Sequence, residues 1–295
     1  MKGIFMAIGF VGLGAMGGRI AARLLATGHD VVGTNRTAEK AAPLLKQGLV
    51  WRDTPREVAQ TAEVVFSMVT DDAALVAVTS GPAGIVSGLR PGTLYIDMST
   101  VSPRASLEVA ERVRTAGSEM LEAPVSGSIG AAEEGTLSIM VGGPEAAFVR
   151  VEQLLRDIGT NVTRMGDNGT ALLMKLAVNI SLAEQMLAFS EGVLLAEQGG
   201  IDRALAVEVL TTSALGSPML KSRGPLVLDL PDHAWFDVGL MRKDLQLALE
   251  EAGRLDVPLP TGAVAEQMFT AADAMGYGDQ DIAVVYEVLA EMAGQ

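Results

Sequence analysis

The chain of 295 residues contains no cysteine. Disulfide frameworks, thiolate nucleophiles and thiolate metal sites are therefore excluded together. It has only 2 histidines, His29 and His233, so a multi-histidine centre is excluded as well and no metal is expected. Aromatic residues are scarce at 4%, which leaves the core to Ala, Val, Leu, Ile and 15 Met. Positive charge is short too: 22 Lys and Arg stand against 36 Asp and Glu, a net charge of −14. Such a surface repels phosphate backbones, so nucleic acid is not an expected partner. An anionic ligand would need a local positive site made from helix N-termini and a few placed Arg or Lys.

Long hydrophobic runs are nearly absent, with two exceptions. Lys2 precedes an apolar run that superficially matches an export leader. That run is rich in glycine, has no convincing small-x-small cleavage site and continues into Arg19 and Arg23. Export is not expected; Met6 is a plausible natural start, and a reducing cytoplasm is the expected location. The second run, 171–189, has the length of a membrane span. Lys175, Asn179, Glu184 and Gln185 interrupt it, which points instead to a helix buried between domains.

What is present is ample for a folded chain: 49% hydrophobic residues against 20% charged, in a length suited to two domains. The first half alternates β-rich runs, at 7–11, 30–34, 64–69, 93–97, 120–125 and 137–141, with helical patterns. Gly28 stands as a helix stop, and Ser102 before Pro103 as a helix start. This alternation predicts an α/β Rossmann domain with a parallel sheet over residues 1–165. Beyond it the β signal stops, and helices are expected at 170–198, 203–213, 240–254, 262–275 and 280–292, with Asp202 and Asp279 as N-caps. The second domain, 166–295, is then all-helical, joined to the first by a long helix.

Gly12-Leu13-Gly14-Ala15-Met16-Gly17 follows the first strand and opens a helix. In a dinucleotide site the first glycine permits the turn, the second lets backbone approach a pyrophosphate, and the third lets helix and strand pack closely. The second strand ends in Thr34-Asn35-Arg36-Thr37, where NAD sites usually carry an acid for the ribose hydroxyl. The acid is missing and an arginine is present, which favours NADP: a guanidinium binds a 2′-phosphate that a carboxylate would repel.

Hydride chemistry also needs a group that moves one proton. Neither histidine is well placed, whereas Lys175 lies in an apolar helical stretch where desolvation tunes a lysine for proton transfer. Asn179, four residues on, shares its helix face. A snorkelling lysine would give the same pattern. Lys243 shares a face with Leu240 and Leu247, again with snorkelling as the alternative. Ser126-Gly127-Ser128 follows a strand and can offer hydroxyls and N–H groups to a carboxylate, or be a plain turn. Asp71-Asp72 reads as a helix cap.

Five separated motifs resemble, in this order, those of the β-hydroxyacid dehydrogenase family, which contains 3-hydroxyisobutyrate dehydrogenase and tartronate semialdehyde reductase. They are GFVGLGAMG at 9–17, DMST at 97–100, APVSGS at 123–128, GTALLMKLAVN at 169–179 and KDLQLA at 243–248. The resemblance runs from Ile8 to about Glu291. It implies Lys175 as catalytic acid/base, with Ser126, Gly127, Ser128 and Asn179 on the substrate. It also implies Thr100 and Lys243 at the nicotinamide end and Met68 and Val69 at the adenosine side. Asn35, Arg36 and Thr37 are similar to the corresponding segment of NADP-using members.

Two departures refine this. Ser128 stands where the family often has Gly, and with SPMLKSRGP at 217–225 it resembles the glyoxylate/succinic semialdehyde reductase branch. Ile180 stands where a second Asn is usual, which removes a polar group beside the site. The resemblance implies NADPH-dependent reduction of a small semialdehyde or 2-oxo acid, by a homodimer or homotetramer. Oxidation of 3-hydroxyisobutyrate or another β-hydroxyacid is the alternative, and a non-catalytic NADPH-binding sensor or assembly module is the alternative of another class. Imine reductases are similar in the first motif but generally lack the lysine. 6-Phosphogluconate dehydrogenase resembles the first half only.

Overall fold

A computed structural model describes residues 7–294; Met6 as a start lies outside them. Nine strands form one sheet: β1 Ile8–Val11, β2 Val31–Thr34, β3 Val50–Trp51, β4 Val64–Ser67, β5 Leu94–Asp97, β6 Glu119–Glu122, β7 Val125–Ser126, β8 Ser138–Gly142 and β9 Asn161–Gly166. β1, β4 and β5 are buried along their whole length. That is what helices on both faces of a parallel sheet demand, and it explains why these strands read as continuous apolar runs.

The order is β3-β2-β1-β4-β5-β6-β8-β7, with β9 beside β8. The first six strands are parallel, in the 3-2-1-4-5-6 order of dinucleotide-binding domains. The sheet is not wholly parallel as expected: β8 runs antiparallel to β6 and β7. The single strand expected over 120–125 is broken between Glu122 and Val125, where Pro124 has no N–H to give a ladder. β3 and β9 were not expected. β3 has only two residues, and β9 alternates exposed with half-buried positions, so neither leaves a hydrophobic pattern.

Helices pack on the sheet through two apolar clusters, one around Phe10, Ile20, Leu24, Phe66 and Ile96, the other around Val58, Leu75, Tyr95 and Val109. The expected caps form at most sites. Ser102 accepts from Ala105 N–H, Asp71 from Ala74 N–H and Asp202 from Leu205 N–H. Asp279 does not cap; Asp281 does, and the final helical stretch begins at Ile282.

The chain divides into two compact units, one through Lys175 and one from Leu176. The division falls inside the continuous helix Thr170–Gln198, not at its start. Its first residues, such as Leu172, join the core of the first unit, and Ala183, Met186, Phe189 and Val193 join that of the second. This helix has the length and apolarity of a membrane span, yet Leu172, Ala183, Met186, Phe189 and Val193 along it are buried. The second unit is helical, and Val238, Met241, Phe269, Ile282 and Tyr286 are central to its core.

Candidate functional site

Register builds the ligand side of the sheet. Val11 lies beside Thr34 and Ser67, Ser67 beside Asp97, and Asp97 beside Glu122. These five residues end their strands in one row, so the segments that follow leave the sheet side by side. They begin at Gly12, Asn35, Met68, Met98 and Ala123. Ligands of open α/β sheets bind at such a row of carboxyl ends.

The glycine-rich turn comes first. Gly12 has φ +96°, and a Cβ there would stand 2.2 Å from the carbonyl oxygen of Met68. A Cβ at Gly17 would stand 2.1 Å from the carbonyl oxygen of Gly12, so helix Ala15–Ala26 can lie this close to the turn only with glycine. Gly14 is different: a Cβ there meets nothing within 4 Å. Two glycines are needed by the protein itself; the third faces open space. Leu13 is buried and its N–H donates to Asn35 Oδ1 at 2.9 Å, so Asn35 braces the turn. Gly14 caps the helix with no side-chain hydrogen bond, while Ala15 and Met16 open its first turn. The N–H groups and positive end of this turn are therefore available to an anion. Arg36 and Thr37 are exposed at the end of β2. The geometry fits a dinucleotide pyrophosphate over the turn.

The end of β4 carries Met68 and Val69, both half-buried, and Val69 N–H donates to Ser99 Oγ at 2.9 Å. Beneath them lies a buried network. Ser67 Oγ donates to Asp97 Oδ1 at 2.6 Å and lies 2.6 Å from Tyr95 Oη; Ser99 Oγ donates to the same Asp97 oxygen at 2.7 Å. Burial, then the nearby Asp97 charge, pushes the Tyr95 phenol well above its usual range. Asp72 is more than part of a cap, because its carboxylate accepts from both the N–H and the hydroxyl of Ser102. The segment with half-buried Thr100 is thus pinned at Ser99 and at Ser102.

Ser126 is half-buried, and Gly127 and Ser128 are exposed. Gly127 has φ +149°, and a Cβ there would stand 2.7 Å from the Leu137 side chain. Ser128 Oγ accepts from Ala131 N–H at 3.2 Å and so caps helix Ile129–Glu134. Its hydroxyl proton is still able to donate. Lys175 is half-buried, one turn before Asn179 on the same helix; Leu173 and Met174 beside it are exposed.

In the second unit Asn179 is buried, and its amide donates to Asp244 Oδ2. Lys243 Nζ forms an ion pair with Asp244 Oδ1 at 2.8 Å. Asp244 therefore links two residues singled out in the sequence and was itself missed. The signal was present: Met241, Asp244, Leu245 and Ala248 lie on the buried face of helix Val238–Arg254, and an acid on such a face needs a partner. Glu122 was missed for a related reason, as a buried acid ending a strand after Met120 and Leu121. Neither histidine joins these groups; His29 pairs with Asp157 at 2.8 Å, and His233 is exposed. No group of three or more His, Cys, Asp or Glu that could hold a metal occurs among the described residues.

Comparison with known proteins gives two family matches: the NAD binding domain of 6-phosphogluconate dehydrogenase over residues 7–166, and the NAD-binding domain of NADP-dependent 3-hydroxyisobutyrate dehydrogenase over residues 169–289. Glyoxylate/succinic semialdehyde reductase 2 of Arabidopsis thaliana is 33% identical over 284 residues, spanning 96% of this chain and 79% of its own. A probable mitochondrial 3-hydroxyisobutyrate dehydrogenase of Dictyostelium discoideum is 35% identical over 289 residues, spanning 96% and 90%. Among solved structures, a 3-hydroxyisobutyrate dehydrogenase from Salmonella typhimurium superposes with a TM-score of 0.88 at 30% identity, covering 96% of this chain and 99% of that one.

Proposed function

This chain belongs to the β-hydroxyacid dehydrogenase family of nicotinamide-dependent oxidoreductases, and on that premise we propose that it uses NADPH to reduce a small semialdehyde or 2-oxo acid, such as glyoxylate or succinic semialdehyde, to the hydroxyacid. The observation that carries the reading is Lys175 and Asn179 one turn apart on a continuous helix, with Asn179 held by buried Asp244. A snorkelling lysine requires no such companion.

When bound, the nicotinamide supplies the hydride. The N–H groups at the start of helix Ala15–Ala26 would hold the pyrophosphate, and Arg36 would hold the 2′-phosphate. Met68 and Val69 border the adenosine side in this reading, with Thr100 at the nicotinamide end. Ser126, Gly127 and Ser128 hold the substrate carboxylate. Lys175, protonated, donates to the aldehyde oxygen as it becomes an alkoxide, and takes the proton back in oxidation.

A homodimer or homotetramer is part of the same proposal. A cytoplasmic location belongs to the same proposal. Oxidation of a β-hydroxyacid is the second reading, favoured by the likeness to 3-hydroxyisobutyrate dehydrogenases.

The test is NADPH consumption by the purified protein with glyoxylate, succinic, tartronate and methylmalonate semialdehydes and a cyclic imine, with 3-hydroxyisobutyrate and NADP in the other direction. Turnover of glyoxylate or succinic semialdehyde is expected. Turnover of 3-hydroxyisobutyrate alone would move the protein to the second reading, and turnover of the imine alone to the imine reductases. NADPH binding without any turnover would leave the sensor module.

A further inference from the structure

Glu122 ends β6 and is fully buried. Its Oε1 accepts from two groups remote in sequence. One is Ser106 Oγ at 2.7 Å, in helix Pro103–Thr115, which begins just after Thr100. The other is the N–H of Gly169 at 2.6 Å, immediately before the helix that carries Lys175. Asn168 reinforces the junction, its amide lying 3.2 Å from the Met120 carbonyl oxygen and 3.4 Å from that of Gly142. Gly142 leaves the room required. A Cβ there would stand 2.9 Å from Glu122 Oε2 and 3.1 Å from the Ala171 nitrogen, so a side chain would push the carboxyl away from the helix start.

A buried acid is a costly way to fill space, since a well-packed apolar side chain needs no partners. What the acid adds is direction. β6 leads through Pro124 into Ser126-Gly127-Ser128, and Lys175 follows Gly169 by less than two helical turns. The carboxyl thus grips the origin of three segments: the strand before the substrate loop, the helix behind Thr100 and the helix of Lys175. Glu122, Ser106, Gly169, the 126–128 loop and Lys175 all lie within the first compact unit.

We propose that Glu122 is a positioning residue that holds the 126–128 loop and Lys175 in the register the reaction requires. The inference rests on the function proposed above. Displacements of about 1 Å in such a framework cost on the order of a hundredfold in rate. Glu122→Ala is therefore expected to lower kcat for semialdehyde reduction by about 10- to 100-fold. NADPH affinity is expected to stay within about twofold, because the glycine-rich turn is braced by Asn35 instead. Glu122→Gln retains an oxygen that accepts from Gly169, and is expected to restore kcat to within about threefold of wild type.

Wild-type kcat in Glu122→Ala would overturn the proposal. So would a Glu122→Gln enzyme as slow as Glu122→Ala, or a loss of NADPH binding that matches the loss of rate. If Glu122→Ala does not fold, Ser106→Ala, which removes one of the two donors, is to lower kcat at unchanged NADPH affinity; unchanged kcat would overturn it. Should the wild type turn over none of the substrates, the function reading fails separately. Amide exchange in Ser106→Ala then decides this one: faster exchange at both Gly169 and residues 126–131 supports it, and wild-type exchange at either contradicts it.

Discussion

At the scale of single residues, two side chains carry distinct parts of the account. Lys175 is assigned one proton transfer, and positioned general acids contribute roughly 10²- to 10⁴-fold in rate. Lys175→Ala is expected to lose at least that much kcat. Arg36 is exposed at the end of β2 and is assigned a phosphate rather than a structural partner. Charge-assisted hydrogen bonds of this kind are worth about 1.5–3 kcal/mol, so Arg36→Ala should weaken NADPH by roughly tenfold or more. NADH, which lacks the 2′-phosphate, should bind nearly as before. Parallel titrations of both dinucleotides check this, and equal losses would remove Arg36 as the basis of cofactor choice.

At the scale of elements, the glycine-rich turn makes a sharper statement than its motif does. Gly12 and Gly17 are required by contacts inside the protein, and Gly14 is not. Gly12→Ala forces a left-handed backbone on alanine and a Cβ against Met68, and should cost at least about 2 kcal/mol of stability. Gly14→Ala should leave the melting temperature within a degree or two, since surface changes without such strain move stability by only about 0.5 kcal/mol. It should nevertheless reduce dinucleotide affinity. A Gly14→Ala protein that binds the dinucleotide as wild type does would contradict the placement of the pyrophosphate.

Strands buried on both faces, such as β1, β4 and β5, announce themselves as apolar runs between turn residues. β9 does not, because one face is exposed and the other only half-buried. Lys175 and Asn179 were legible because helix period is local. Asp244 and Glu122 were not singled out, because their partners lie at Asn179 and at Ser106 and Gly169, and only the fold brings them together. The break at Pro124 and the cap at Asp281 in place of Asp279 likewise depend on how the chain pairs there. The Asp281 carboxylate takes Arg223 Nη1 at 2.7 Å and the N–H groups of Trp235 and Phe236. Removing one partner of a buried pair leaves a buried charge alone; Arg223→Ala should destabilise the helical unit by about 3–5 kcal/mol, read by denaturant melts.

At the scale of the whole molecule, the buried acids tie stability to pH. Burial, the largest cause, raises the Glu122 carboxyl from its ordinary 4.5 to about 7, against the hydrogen bonds from Ser106 and Gly169 that lower it. Between those two values the folded chain holds a proton that the unfolded chain has released. Stability therefore falls as pH rises from about 4.5 to about 7, by on the order of 2–3 kcal/mol from this group. Glu122→Gln should remove that part of the slope, and parallel unfolding curves at pH 5 and pH 8 measure it. A slope unchanged by the substitution would mean that Glu122 titrates at its ordinary value in the folded protein.

A nicotinamide-binding sheet and Lys175 are proposed to perform one reduction together, with separable roles. The most direct test is single-turnover reduction of a semialdehyde by wild type and Lys175→Ala, with NADPH affinity measured on the same preparations. The expected result is a loss of the chemical step by roughly 10² or more at nearly unchanged NADPH affinity. A lysine-free protein that still reduces the substrate at the wild-type rate, or one that loses NADPH binding in proportion to its rate, would contradict it.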